Sequence, residues 1–153
     1  MIQIKNKITY KIQIGIIIFF VLGIFYLLFI NKNKYTQQKI FINNNEFIVD
    51  IADTDKKRQL GLGNRKKICE KCGMLFLFDD KKNRIFWMKD MNFDIDIIWI
   101  LDDKVVNISK NIKYNKPQKK IYSGVVVDKV LELPSGSVEK FGIIVGNGVH
   151  YEE

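Results

Sequence analysis

Four charged side chains and one tryptophan interrupt apolar stretches of the sequence and are the candidates for a binding site. They are Arg65, Trp87, Lys89, Asp96 and Glu132. Carboxylates such as Asp96 and Glu132, placed among apolar strand residues, are seldom buried unless a cation or a backbone donor satisfies them. The pattern predicts either one or two structural ion pairs, with Arg65 and Lys89 as partners, or a polar cluster at the mouth of a pocket. Such a cluster would bind a small anionic or hydroxylated ligand.

Two functions of different classes fit these residues. A ligand-binding or interaction module needs only a pocket or a patch, and this is the favoured hypothesis. The alternative is a small enzyme, which needs Lys89, Asp96 and Glu132 to converge on one cleft. A Ser-His-Asp triad is not indicated, because His150 is the only histidine and stands in no pattern with a nucleophile.

The only two cysteines, Cys69 and Cys72, form a Cys-x-x-Cys motif. In a thioredoxin-like site this motif opens a helix, whereas here it runs directly into the apolar segment 73–76. A structural zinc site needs four ligands, and the two cysteines with His150 make three. The sequence therefore favours a local disulfide or unreactive thiols over redox or metal chemistry, and we predict no metal and no cofactor.

The aromatic side chains are numerous for a small domain. They are expected to fill the core, with the alternative that some line an apolar pocket. The set is Phe76, Phe78, Phe86, Trp87, Phe93 and Trp99.

The formal net charge of +8 is distributed unevenly. Residues 1–40 hold six lysines and no acidic residue, which leaves 8 − 6 = +2 for residues 41–153. The basic excess therefore flanks an apolar segment, where lysines attract lipid headgroups, and nucleic acid is not an expected partner.

That apolar segment, Ile14 to Ile30, contains no charged residue. As a helix it would measure about 26 Å, close to the hydrocarbon thickness of a bilayer. A cleaved signal peptide is the alternative, but no Ala-x-Ala cleavage site follows. We therefore predict a basic tail over residues 1–11, a transmembrane anchor in the lipid bilayer over 12–30, a linker over 31–38 and one extracytoplasmic domain over 39–153. A small-molecule or protein ligand of this domain is not identified by the sequence.

Short β-prone runs separated by turn residues dominate the predicted domain. Thr54 is expected to cap a short helix over 55–60, and one helical turn is expected over 137–141. The pattern predicts a mainly β fold, a small antiparallel barrel or a jelly-roll-like sandwich with one or two short helices, after one transmembrane helix. The expected hairpins pair residues 39–42 with 46–52, 74–78 with 84–88, and 95–101 with 104–109, and a further strand covers 125–133.

Five ordered motifs within about residues 46–150 resemble the domain-of-unknown-function 192 family. The resemblance implies a small all-β domain, often behind a signal or an anchor, with no established activity. The sequence departs from the family pattern at Asp90-Met91, at Asp94 to Asp96, at Gly63 and at Asn147, which puts any inherited polar site in question. The matching motifs are Arg58-x-x-Gly61-Leu62-x-x-Arg65, Gly73 to Phe76, Phe86 to Lys89, Ile95 to Ile98 and Val130 to Leu133, followed by glycines at 136 and over 142–148.

Overall fold

The computed structural model describes residues 13–26 and 35–152, which fall into two separate units. In the first unit, residues 13–26 are helical (α1), and the side chains of this helix are exposed. No helix in these ranges has both the length and the apolar character needed to cross a membrane. The anchor predicted over 12–30 extends beyond them, because residues 12 and 27–30 lie outside the described residues.

The second unit is mainly β, as predicted, and has two short helices. Its seven strands form one sheet in the order β5-β4-β6-β3-β2-β1-β7. Along the chain the elements are β1 Gln37–Ile42, β2 Asn45–Ala52, α2 Asp55–Leu60, β3 Cys72–Trp87, β4 Ile95–Leu101, β5 Lys104–Ile112, β6 Lys120–Pro134, α3 Ser137–Lys140 and β7 Val149–Tyr151.

Two predicted hairpins are confirmed, and residues that tolerate positive φ make both turns. Asn43 and Asn44 join β1 to β2 with φ of 48° and 61°. Asp102 and Asp103 join β4 to β5 with φ of 47° and 60°. Asn and Asp are the non-glycine residues that enter this region most readily, so these turns follow directly from the sequence.

The hairpin predicted between residues 74–78 and 84–88 is wrong. Both segments belong to β3, which runs without a reversal from Cys72 to Trp87 and pairs with β6 along its length. The polar residues 79–83 do not turn the chain, because register shifts between Leu77 and Lys82 absorb them as a bulge.

The expectation of a wholly antiparallel sheet also needs correction, because β2 and β3 are parallel. Parallel neighbours need a crossover connection, and residues 53–71, including α2, provide it. Thr54 caps α2 as predicted, accepting a hydrogen bond from the backbone N–H of Lys57, and Gly61 ends the helix with φ of 52°.

The sheet curves until its two edge strands meet. Lys104 at the start of β5 bridges to Gly148, just before β7. Two backbone hydrogen bonds flank this bridge, from Val105 N–H to the Asn147 carbonyl at 2.9 Å and from Val149 N–H to the Asp103 carbonyl at 2.8 Å. The curvature separates an inner face from an outer face of the same sheet.

Both faces are buried under apolar side chains. Leu131, Leu133 and Ile98 belong to one cluster, which also contains Phe47 and Phe141. A second cluster covers the opposite face and includes Met74, Phe76, Ile97, Trp99 and Val130. Residues 95–100 of β4 are all buried, as expected for a strand covered on both sides.

Asp96 lies within β4 on the face of Ile98 and is only 1% exposed. Its Oδ1 accepts a hydrogen bond from the backbone N–H of Asn111 at 2.8 Å, and its Oδ2 accepts one from Val138 N–H in α3 at 2.9 Å. Because Gly136, the N-cap residue of α3, has no capping side chain, Asp96 supplies the acceptor from a neighbouring strand. The carboxylate thus ties the end of β5 and the start of α3 to the centre of the sheet.

Replacing Asp96 should destabilise the domain strongly. Asp96→Ala removes the acceptor of the buried Val138 N–H and of the partly buried Asn111 N–H, and at about 1 to 3 kcal/mol for each donor we expect a loss of about 2 to 6 kcal/mol. Asp96→Asn, which keeps one acceptor, should lose less. Urea unfolding followed by the fluorescence of the buried Trp99 measures both.

The matched control is Asp79→Ala, since Asp79 is exposed on β3. It should change the free energy of unfolding by under about 1 kcal/mol. Equal unfolding midpoints for the Asp96→Ala and Asp79→Ala variants would contradict the structural role of Asp96.

Candidate functional site

A cavity of about 430 Å³ lies between α2, β3, the loop after β3 and β6. Its volume is within the range of small-molecule sites, which also combine apolar walls with a few polar groups. The walls include Leu62, Phe76, Phe78, Phe86, Trp87 and Met91, and the charged lining residues are Asp55, Arg58, Arg84, Lys89 and Glu132.

Glu132 is the buried acid of this cavity, with 4% of its surface exposed. It lies on β6 opposite Met74 of β3 and Ile97 of β4, so its strand neighbours are apolar. One carboxyl oxygen, Oε2, has no hydrogen-bond partner among the described residues. Burial raises the pKa of Glu132 to about 8, although the positive charge of Arg65 acts in the opposite direction.

The close packing of β3 against β6 fixes the position of Glu132. Gly73 contacts the main chain of Glu132 so closely that a Cβ atom there would collide with the Glu132 carbonyl oxygen. Only glycine fits this contact, which explains the glycine that precedes the apolar Met74 to Phe76 run.

Aromatic rings form one side of the cavity in edge-to-face contact. The ring of Phe86 packs against Phe76 at 4.9 Å and against Trp99 at 5.5 Å between centroids. Trp87 lies at the rim and is 55% exposed. These contacts hold the aromatic wall rigid while leaving part of it accessible.

Phe78 lies between two guanidinium groups. Arg84 stacks at 3.9 Å from the ring centroid and Arg58 at 5.2 Å. Arg58 donates to the Leu77 carbonyl at 2.7 Å and pairs with Asp55 at 2.7 Å. Ring stacking and these hydrogen bonds fix the orientation of both arginines at the cavity.

Two of the three cationic side chains at the cavity, Arg84 and Lys89, have hydrogen-bond donors that are not used by the described residues. Arg84 binds Asp80 through Nη2, but its buried Nε has no partner among the described residues. Lys89 is exposed, and no ion pair of Lys89 is found in the described part of the chain. An acceptor group that entered the cavity could bind either donor.

The structure brings together three of the five predicted site residues, namely Trp87, Lys89 and Glu132. Asp96 is not with them. It is paired with Leu133 of β6, and Leu133 points to the opposite face of the sheet from its neighbour Glu132. The ion pairs considered between Asp96 or Glu132 and Arg65 or Lys89 are not formed.

Arg65 lies beside the cavity rather than in its lining. It pairs with Asp50 at 2.7 Å and lies over the ring of Tyr35 at 5.3 Å. Asp50 also accepts a hydrogen bond from Gln37 at 3.0 Å. The guanidinium therefore joins the segment after α2 to β2 and influences Glu132 only through its charge.

A disulfide joins Cys69, in the loop before β3, to Cys72, the first residue of β3. Neither lines the cavity. Within residues 13–26 and 35–152, no group of three or more His, Cys, Asp or Glu side chains is arranged to hold a metal.

Sequence reasoning missed Arg58 and Arg84 as site residues, whereas Phe78 was named among the aromatic residues expected to fill the core or to line a pocket. The even spacing of Phe78 and Arg84 with Phe76 and Phe86 along β3 was the available signal for Arg84, since residues separated by an even number lie on one face of a strand. Arg58 lies on α2 and had no such signal. The wrongly predicted turn over 79–83 divided this strand and hid the pattern.

Comparison with known proteins supports the fold. The chain is 25% identical to a proposed transcription regulator from Sinorhizobium meliloti 1021, with a TM-score of 0.73, covering 77% of this chain and 95% of that one. It is 24% identical to a protein of unknown function from Novosphingobium aromaticivorans DSM 12444, with a TM-score of 0.66, covering 76% and 84% of the two chains. No curated protein matches.

The model of the DUF192 family, described as an uncharacterized ACR, matches residues 38–151. This region contains every strand except the first residue of β1, together with the whole cavity lining. The chain therefore belongs to the DUF192 family.

Proposed function

We propose that this protein is a membrane-tethered module that binds a small ligand in the cavity beside Glu132. The observation that carries the proposal is the unpartnered carboxyl oxygen of Glu132, which is buried at a cavity large enough for a small molecule. A buried polar atom without a partner costs free energy, and a bound ligand could recover it.

A second unpartnered atom supports ligand binding over a purely structural role. The Nε of Arg84 is buried and has no partner among the described residues, and Arg84 lines the same cavity. A carboxyl group and an N–H donor among aromatic lining residues are the combination of few polar and many apolar contacts that small-molecule sites use.

The tether is inferred from residues 12–30. Residues 13–26 within this span are helical, and their large apolar side chains are exposed on all sides. A helix that is apolar all round needs a protein core or a bilayer to cover it. Lysines at 5, 7 and 11 on one side and at 32 and 34 on the other are suited to lipid headgroups.

We place the domain outside the cytoplasm. The disulfide between Cys69 and Cys72 supports this location, because disulfides persist in oxidising compartments and are rare in the cytosol.

The alternative of an enzyme receives less support. Lys89 and Glu132 share the cavity, but Asp96 lies on the other face of the sheet with both oxygens bound to backbone donors. The proposed cluster thus lacks its second carboxylate, and Asp55, the other acid of the cavity lining, is paired with Arg58 at 2.7 Å. Nucleic acid is also a weak candidate for the partner, since the formal net charge of residues 41–153 is only 8 − 6 = +2.

Membrane fractionation tests the tether. The full-length protein should stay with membranes after an alkaline carbonate wash, because an inserted helix is not removed by charge disruption. A variant that lacks residues 1–34 should be released. Recovery of the full-length chain in the soluble fraction would overturn the tether but not the ligand site.

Binding of benzyl alcohol tests the cavity. Its ring fits the aromatic wall, and its hydroxyl can form a hydrogen bond with Glu132 or Arg84. We therefore expect a Kd on the order of millimolar, which corresponds to a binding free energy of about −4 kcal/mol. The indole N–H signals in ¹H–¹⁵N NMR give the readout, since the only tryptophans are Trp87 at the rim and the buried Trp99.

Leu60→Phe, which fills the cavity mouth from an exposed position, should weaken this binding. Ile144→Phe is the matched control, because Ile144 is also exposed, at 62% against 46% for Leu60, but lies outside the cavity. No shift of Trp87 with benzyl alcohol, or equal affinity in both variants, would count against the site.

The stability of the domain should depend on pH through Glu132. The folded protein holds this proton up to about pH 8, whereas the unfolded chain releases it near 4.5. The folded state therefore binds more protons in this window, and stability should fall as pH rises through it, by up to about 1.4 kcal/mol per pH unit. Below the window this contribution is fully present.

Urea unfolding at several pH values measures this dependence. Glu132→Gln should remove the decline, and the exposed control Glu139→Gln should retain it. Parallel curves for the Glu132→Gln variant and the wild type would show that Glu132 is ionised in the folded protein over the whole window.

A further inference from the structure

The residues that line the cavity indicate a class of ligand. This inference rests on the proposed function. We propose that the cavity takes a small carboxylate with an apolar body, and that Glu132 holds a proton while this ligand is bound. Three features of the cavity support this ligand class: the charges of the lining, the two unpartnered polar atoms and the aromatic wall.

The charges around the cavity favour an anion. Three lining residues are cationic, Arg58, Arg84 and Lys89, and Asp55 is the one carboxylate among them besides Glu132. With Glu132 neutral, the formal net charge of the lining residues is 3 − 1 = +2. A carboxylate lowers this excess, whereas an ammonium group would increase it.

The donors that remain free also favour an anion. Arg58 is occupied by Asp55 and by backbone carbonyls. Arg84 keeps its buried Nε–H, and Lys89 has three donors and no ion pair within the described residues. A carboxylate oxygen accepts from such cationic donors in charge-assisted bonds, which are stronger than bonds between neutral groups.

Glu132 can join such a site only in its neutral form. Its strand neighbours Met74 and Ile97 are apolar, and Arg65 is the charge outside the lining that favours ionisation. Burial has a larger effect on the pKa of Glu132 than the charge of Arg65 has. A neutral carboxyl group can donate its proton in a hydrogen bond to an incoming carboxylate, whereas an ionised one would repel it.

The walls determine the rest of the ligand. Phe76, Phe86 and Leu62 form an apolar surface, and Trp87 covers the rim. A ring or a short branched chain would displace water from this surface, so a bare inorganic anion would lose most of the available contact.

Three probes of one size and different charge test the inference on the full-length protein: benzoate, benzyl alcohol and benzylamine. At about pH 6.5, NMR titration of the Trp87 indole signal should give benzoate a Kd roughly tenfold below that of benzyl alcohol, with benzylamine weakest. The Trp99 indole, which bonds to Ser109 Oγ at 3.0 Å, serves as the internal reference.

The pH dependence provides a second and independent measurement. Because Glu132 ionises near pH 8, the affinity for benzoate should fall by up to about tenfold per pH unit above that value. In Glu132→Gln the affinity should stay constant with pH, and Glu139→Gln should behave as the wild type does.

Lys89→Met should reduce the preference for benzoate over benzyl alcohol. Lys66→Met is its control, since Lys66 is also exposed but does not line the cavity. If a variant fails to fold, the three probes and the pH series on the wild type still decide the question.

The outcomes separate this inference from the proposed function. If benzyl alcohol binds and benzoate binds no more tightly, or if benzoate affinity rises with pH, the ligand class is wrong while the cavity remains a binding site. Tighter binding of benzylamine would indicate an ionised Glu132 and an amine ligand instead. If none of the three probes shifts Trp87, the proposed function itself fails.

Discussion

Strand β6 pairs with β3 on one side and with β4 on the other, and the rest of the domain depends on this double pairing. It places β6 at the centre of a sheet that is covered on both faces. Successive side chains of such a strand enter different cores, so Leu131 and Leu133 belong to one cluster, whereas Val130 belongs to the other and Glu132 lies on the same face as Val130. An acidic residue within the buried segment 130–133 of β6 therefore cannot reach solvent on either side, and the groups that lie above its own face determine its environment.

The two buried acids illustrate two solutions to the same problem. Asp96 meets backbone N–H groups from β5 and α3 and becomes a structural acceptor that needs no cation. Glu132 meets an aromatic cavity in which one of its oxygens is left unpaired, and burial shifts its pKa upward. The first arrangement stabilises the fold, whereas the second leaves one carboxyl oxygen without a hydrogen-bond partner among the described residues.

Local signals predicted the parts of the fold that depend on local chemistry. Pairs of Asn and Asp between apolar runs identified the β1–β2 and β4–β5 turns, and Thr54 identified the start of α2. The continuity of β3 could not be predicted in the same way, because residues 79–83 have turn composition and remain extended only through pairing with a distant strand. The same limit applied to the site. Trp87, Lys89 and Glu132 were recognised one by one, but the separation of Asp96 from Glu132 depends on the register between β4 and β6.

The closure of the sheet has a consequence for the order in which the domain forms during synthesis. The last strand, β7, pairs with the first, β1, through Ile40 and Tyr151, and the bridge between Lys104 and Gly148 lies immediately before β7. These contacts join residues far apart in the chain, so the edges cannot meet until residue 151 has left the ribosome. A nascent chain released from synthesis only up to β6 would expose the open edges of β1 and β5, which are templates for pairing with other chains. Completion of the C-terminal strand is thus the step at which a growing chain changes from an aggregation-prone sheet into a sealed one.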